Sequence, residues 1–319
     1  MNRWLRLGLL LLSLLIFGLI LWQAGPETWA VIWQGNRTML LVSFCMHGLA
    51  GVASASRLLW LTRASTGQRT ISWRRIYTLN WTARALGLVL PRSVSILGGK
   101  TVALKALGVP LRQAVWIVFL DNVFDLLLLG FWLIPAFFWF RGETTALLFW
   151  FMLGVLTIGT GLLVWWSTQT GRLEPFVRQI RRFPRLAQRL NLDESSLVPA
   201  PAYALSALAW TVLLHLVLIV SFYGIGQAIA TPTSLPLIAS SYPFVQLSLI
   251  VAFAPGGLGL FDLGWLGLLR LGGVPETSAL AFVVAQRAYV YLFVLAWAAI
   301  SQGVAWTERG EKSAVNSEQ

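Results

Sequence analysis

"PRSVSILGGKTVALKALGVP", residues 91–110, carries Gly98-Gly99-Lys100-Thr101 at its centre, which has the look of the end of a phosphate-binding loop. Apolar sequence flanks it on both sides. A nucleotide loop of that kind needs glycine five positions before the glycine of Gly-Lys-Thr, and that position is Val94. Neither a soluble strand before it nor an acidic strand end after it is there to hold Mg²⁺. The nucleotide reading fails, and Gly98 and Gly99 are expected instead to bend or closely pack a helix, with Lys100 as a positive charge beside them.

Composition says what surrounds that helix. Of 319 residues, 57% are hydrophobic and 11% charged, with mean hydropathy +0.72. A water-soluble domain is about a quarter charged, so most of this chain must face lipid or protein. Several of its 17 Trp (Trp22, Trp29, Trp60, Trp139, Trp165 and Trp306 among them) end apolar runs, as interfacial aromatics do. The net charge of +12 is not a nucleic-acid footprint, because the basic residues cluster in short connections between apolar runs. The single Cys45 excludes an intramolecular disulfide and a cysteine metal cluster. No cofactor or metal signature is visible.

Crossing a ~30 Å hydrocarbon core takes roughly 20 apolar residues. Runs 38–61, 113–139, 146–166, 202–229 and 277–306 qualify, and 5–24 makes a sixth. Arg3 and Arg6 before that first run resemble a secretory signal, but Trp22 occupies the −3 position for cleavage after Ala24, so a retained anchor is expected. Loop charges then orient the spans. Arg63, Arg69, Arg74, Arg75 and the arginines of 172–190 fall on the side of Arg3 and Arg6, whereas Arg37, Arg141 and Arg270 stand alone opposite. Both termini are therefore expected in the cytoplasm, and the reading is one membrane domain over 1–306 followed by a short tail, 307–319.

Two regions do not fit a simple span: 79–110 and 237–273. With six crossings, each must return to the side it came from, as a re-entrant helical hairpin, and the two must approach from opposite faces. The second contains "PGGLGLFDLGWLGLLRLGGVP", residues 255–275, which parallels the opening stretch. Both begin with proline and a glycine turn (Pro91, Gly98 and Gly99; Pro255, Gly256, Gly257 and Gly259) and end in Gly-Val-Pro. Each continues to alanine four residues on (Ala114, Ala279), and eleven residues past the last proline come Asp121-Asn122 in one copy and Gln286-Arg287 in the other. The fold class is thus an all-α polytopic membrane protein with six transmembrane helices and an inverted repeat of two hairpins, an arrangement used where a substrate site lies between the halves.

The segment from Pro91 to Asp125, with "GVP" and "FLDNVFD", resembles the first conserved region of the lysylphosphatidylglycerol synthase/flippase transmembrane family. "PGGLGLFD" (255–262), "GGVP" and "QRAYVYL" (286–292) resemble its second. The resemblance implies a polytopic protein of the bacterial inner membrane that handles lipids, here without the soluble synthase domain of fused members.

Charges at membrane depth are costly and point to function. Asp121 and Asp125, four apart, share a helix face, and Arg287 is expected to pair with one of them. Asp262 caps its half-helix or meets a cationic headgroup. Arg92 and Lys100 are candidates for a lipid phosphate, with Arg84 reaching toward the surface. His47 and His215 lack ligand spacing and read as core histidines. The arginines of the basic loop, 167–201, form one face of an amphipathic segment suited to anionic lipid headgroups. Asp121-x-x-x-Asp125 lacks the glycine four residues earlier that a CDP-alcohol phosphotransferase needs, since Ile117 is there. Loop 25–37 offers only Glu27 to a glycosyltransferase mechanism.

The expected function is flippase-like movement of a membrane phospholipid or lipid-linked glycan, with no ATPase of its own. A membrane transferase acting on a lipid-linked substrate, and an accessory subunit of a lipid-modifying enzyme, stay open as alternatives, as do a second copy of the chain or a separate enzyme as partner. The topology is testable in intact cells. Single cysteines introduced within 172–190 should react only with membrane-permeant reagents, while those within 230–236 and at position 258 should react with impermeant ones. Impermeant labelling of 172–190 would reverse the orientation.

Overall fold

The computed structural model describes residues 26–67, 71–89, 97–169, 201–251, 257 and 259–317. Helices account for nearly all of them, and no strand occurs among the described residues. In chain order they are α1 (Pro26–Trp33), α2 (Arg37–Thr66), α3 (Trp73–Val89), α4 (Lys100–Ala106), α5 (Leu111–Phe140), α6 (Ala146–Gln169), α7 (Pro201–Ala228), α8 (Leu235–Val251), α9 (Leu260–Leu271) and α10 (Glu276–Ser317). Five of these, α2, α5, α6, α7 and α10, are long and apolar enough to cross a membrane, and they coincide with five of the six expected spans. The sixth, 5–24, and most of the basic loop lie outside the described residues. No break separates a tail at 307, because α10 continues as one helix to Ser317.

Local sequence accounts for the ends of these helices. Asn36 caps α2, its side-chain oxygen accepting from the backbone N–H of Thr38 (3.0 Å) and Met39 (3.2 Å). Gly67, at φ 66°, closes it with a bond to the Arg63 carbonyl. The two regions read as broken are each a 17-residue helix, α3 or α8, followed by a shorter one, α4 or α9. Both shorter helices end in the same corner. Gly108 (φ 88°) and Gly273 (φ 85°) take the left-handed conformation, and the next residues, Val109 and Val274, donate back to the carbonyls of Leu104 (3.1 Å) and Leu269 (3.0 Å). Pro110 and Pro275 then open the following long helices, accepting from Ala114 and Ala279 at 2.9 Å. The repeated Gly-Val-Pro is therefore a repeated helix–turn–helix corner.

The glycines before the short helices behave unequally. Gly257 (φ 70°) and Gly259 (φ 84°) form a turn ahead of α9, and a Cβ on Gly257 would lie 2.1 Å from Leu249. Gly98 and Gly99 depart from the expectation of a bend or close packing. They sit in a widened helical turn leading into α4, Gly99 has ordinary helical angles, and a Cβ on Gly98 would meet nothing within 4 Å. Pro91, Arg92, Pro255 and Gly256 fall outside the described residues.

Without water to drive apolar faces together, membrane helices associate through close packing of small residues. The α2–α7 pair is the most extensive in the fold, and Gly224 of α7 lies so near α2 that its Cβ would be 2.4 Å from the Ser43 hydroxyl. On the same helix α2, Gly48 and Gly51 receive the indole rings of Trp297 and Trp81, which stack with centroids 6.1 Å apart. Buried residues divide into one large apolar cluster around Trp132, Tyr242, Trp265 and Phe282 and another around Trp81, Leu104 and Ile117. The outer faces of α5 and α6 expose Leu126, Phe137, Leu147, Phe151, Ile158 and Leu162, as a lipid-facing surface would. Two alanine substitutions test this packing by thermal unfolding in detergent. Gly51→Ala places its methyl 2.2 Å from the fully buried Trp81 ring and should cost ~1–3 kcal/mol. Gly98→Ala, in open space, should be neutral or stabilise by ~0.4–1 kcal/mol.

Candidate functional site

Inside this apolar body lies a polar cavity of ≈ 210 Å³. Every described helix except α1 and α6 contributes to its wall. At one side Arg57 of α2, 1% exposed, holds both aspartates of α5. Its Nε donates to Asp121 Oδ1 (2.7 Å), while Nη1 and Nη2 donate to the two oxygens of Asp125 (2.5 and 3.1 Å). A further bond from Nη1 to Thr211 Oγ1 of α7 (2.9 Å) completes the fork. The i, i+4 spacing read from the sequence puts both carboxylates on one face, and a single planar guanidinium spans them.

The network continues in both directions. Lys100 Nζ, at the start of α4, donates to Asp121 Oδ2 (2.9 Å). On the other side His215 Nε2 lies 3.1 Å from Asp125 Oδ1, and its Nδ1 lies 2.8 Å from the Tyr242 hydroxyl of α8. Because a carboxylate only accepts, Nε2 carries the proton, and in the neutral ring Nδ1 is left to accept from Tyr242. Five helices are thereby joined through one hydrogen-bonded chain: Lys100, Asp121, Arg57, Asp125, His215 and Tyr242.

Arg287 is not the cation that bridges Asp121 and Asp125, as the sequence had suggested. It pairs with Asp262: Nε donates to Oδ1 (2.6 Å) and Nη2 to Oδ2 (3.0 Å), both side chains being buried. Asp262 Oδ2 also accepts from the backbone N–H of Gly259 (3.0 Å), so the expected helix cap is present. The guanidinium lies over the Phe261 ring, 4.8 Å from its centroid. Corner geometry explains the partner. Asp262 lies 11 residues before Gly273, and Arg287 lies 12 after Pro275. At 1.5 Å per residue both are ~16–18 Å from the turn, on helices that fold back on each other. The other corner works the same way with charges exchanged: Lys100 on the short helix meets Asp121 on the long one.

Arg57, His215 and Tyr242 were missed as site residues. The signal for Arg57 was available, since it is an ionisable residue inside an apolar run. Its place near the end of run 38–61 made it look interfacial, but α2 continues nine residues further, to Thr66. His47 and His215 both line the cavity, and no group of three metal-ligating side chains occurs among the described residues. Arg84 also lines the cavity, with its guanidinium 5.4 Å from the Trp81 ring centroid.

A multi-pass helical membrane protein with a charged cavity at its centre is the class these features define. The family model for the lysylphosphatidylglycerol synthase transmembrane region matches residues 6–298. The chain belongs to that family. Among curated proteins, none matches the chain.

The pairing at the second corner can be measured by a double-mutant cycle in detergent. Arg287→Met strands buried Asp262 and should cost ~3–5 kcal/mol. Adding Asp262→Leu should recover this loss apart from ~1 kcal/mol for the helix cap. Arg287→Met with Asp121→Leu should show only additive losses.

Proposed function

We propose that this protein moves lipid headgroups across the membrane through its central cavity, as a flippase-like transporter without an ATPase of its own. The observation that carries this reading is a buried polar cavity walled by eight of the described helices, including all four helices of the two broken regions. Non-helical backbone and charge at membrane depth are tolerated where they line a protein-enclosed space, and transporters place their substrate sites there.

In this reading the domain over 1–306 has six spans, and the regions 79–110 and 237–273 are re-entrant hairpins in an inverted repeat. The matched Gly-Val-Pro corners, the equal lengths of α3 and α8, and the charge-exchanged pairs Lys100–Asp121 and Asp262–Arg287 support it. Both termini and the basic loop face the cytoplasm of a bacterial cell, with the loop resting on anionic headgroups. The cargo is a membrane phospholipid or a lipid-linked glycan.

Reconstitution of the purified chain with headgroup-labelled lipids, read by a leaflet-access assay, tests the proposal. Protein-dependent movement with the lipid chemically unchanged is the expected result, while a modified lipid product would make it a transferase. Arg57→Lys keeps the charge but loses the fork across Asp121, Asp125 and Thr211. Losing charge-assisted bonds of ~1.5–3 kcal/mol should slow movement about tenfold or more. An unaltered rate in a stable Arg57→Lys protein would remove the network from the mechanism.

A further inference from the structure

We propose that the cavity is built to hold a phosphate-type anion carrying no positive charge of its own, which on the transport reading above makes the cargo an anionic rather than a zwitterionic or cationic lipid. Three observations, each independent of the transport reading, carry the inference.

The first is charge. Arg57, Arg84, Lys100 and Arg287 line the cavity, against Asp121 and Asp125, with Asp262 behind Arg287. Four cations against three carboxylates leave one positive charge in excess among the described residues. At membrane depth a net charge is costly unless something neutralises it.

The second is that the acceptors are already used. All six carboxylate oxygens take hydrogen bonds from within the protein: Asp121 from Arg57 and Lys100, Asp125 from Arg57 and His215, Asp262 from Arg287 and Gly259. An ammonium headgroup would have to displace one of these bonds.

The third is that donors are left over. Gln286, 1% exposed and on the cavity wall, has an Nε2 with no hydrogen-bond partner, and the buried hydroxyl of Tyr291, also on the wall, has none either. Lys100 spends one of its three N–H groups on Asp121. Buried donors without partners are uncommon and call for an occupant. These open onto one cavity, and the occupant that satisfies them accepts hydrogen bonds and brings a negative charge.

Phosphate oxygens do both, whether on a lipid headgroup or as the free ion. The test uses the full chain in detergent with three probes: short-chain phosphatidylglycerol, short-chain phosphatidylcholine and inorganic phosphate. Phosphatidylglycerol should bind and raise the unfolding temperature, and phosphatidylcholine at the same concentration should not. Gln286→Leu removes a stranded donor, so the unliganded protein should hold or gain stability while phosphatidylglycerol affinity falls roughly tenfold or more, the loss of one bond to a charged group. Binding of inorganic phosphate with the same Gln286 dependence, in the absence of phosphatidylglycerol binding, would support the anion site while removing the lipid as its source. Equal or tighter binding of phosphatidylcholine, or an affinity indifferent to Gln286→Leu, would overturn the proposal. Leaflet exchange of phosphatidylcholine but not phosphatidylglycerol would also overturn it and leave the transport reading standing.

Discussion

One guanidinium, that of Arg57, sets the terms for the rest of the molecule. Placing it in an apolar interior removes its hydration, and the penalty is met only by partners whose geometry is right. Two aspartates four residues apart on α5 and the Thr211 hydroxyl on α7 supply them. The fork therefore fixes the rotation of α2, α5 and α7 about their axes, since turning any of them would strand a charge. Through Asp121 the constraint reaches α4, and through Asp125 and His215 it reaches α8.

Packing alone would not define these rotations. Helix faces rich in small residues, such as the Gly48 and Gly51 side of α2, allow close approach, yet lipid tails solvate leucine as well as a neighbouring helix does. The indoles of Trp81 and Trp297 seated on those glycines set how closely helices approach. The polar network sets which residues face one another at that distance. The two work at different radii: aromatic and small residues at the contacts between helices, charge at the cavity they enclose.

This division explains what could be read in the sequence. Spans are legible because length and apolarity are local properties, and α2, α5, α6, α7 and α10 fall where the runs place them. The Gly-Val-Pro corners are legible because a left-handed glycine followed by proline has few other uses. Side-chain partners are set by three-dimensional return paths. Arg287 was assigned to Asp121 or Asp125 by the apparent symmetry of the two copies, whereas counting outward from the Pro275 corner leads to Asp262. Arg57 escaped notice because helix length past an apolar run is a matter of polar sequence, and α2 extends through Arg63 to Thr66 before Gly67 ends it.

The exchanged charges at the two corners bear on how such a protein can change over generations. One corner carries its cation on the short helix, as Lys100, and the other on the long helix, as Arg287. A single codon change at either corner leaves one buried charge without its counterion, a penalty comparable to a large share of a domain's whole stability. Inheritance must then alter both positions of a corner almost together, or pass through a neutral pair. The same residues that make the interior polar thus restrict the routes by which descendants can acquire a different cargo, and leave the lipid-facing surface as the part free to drift.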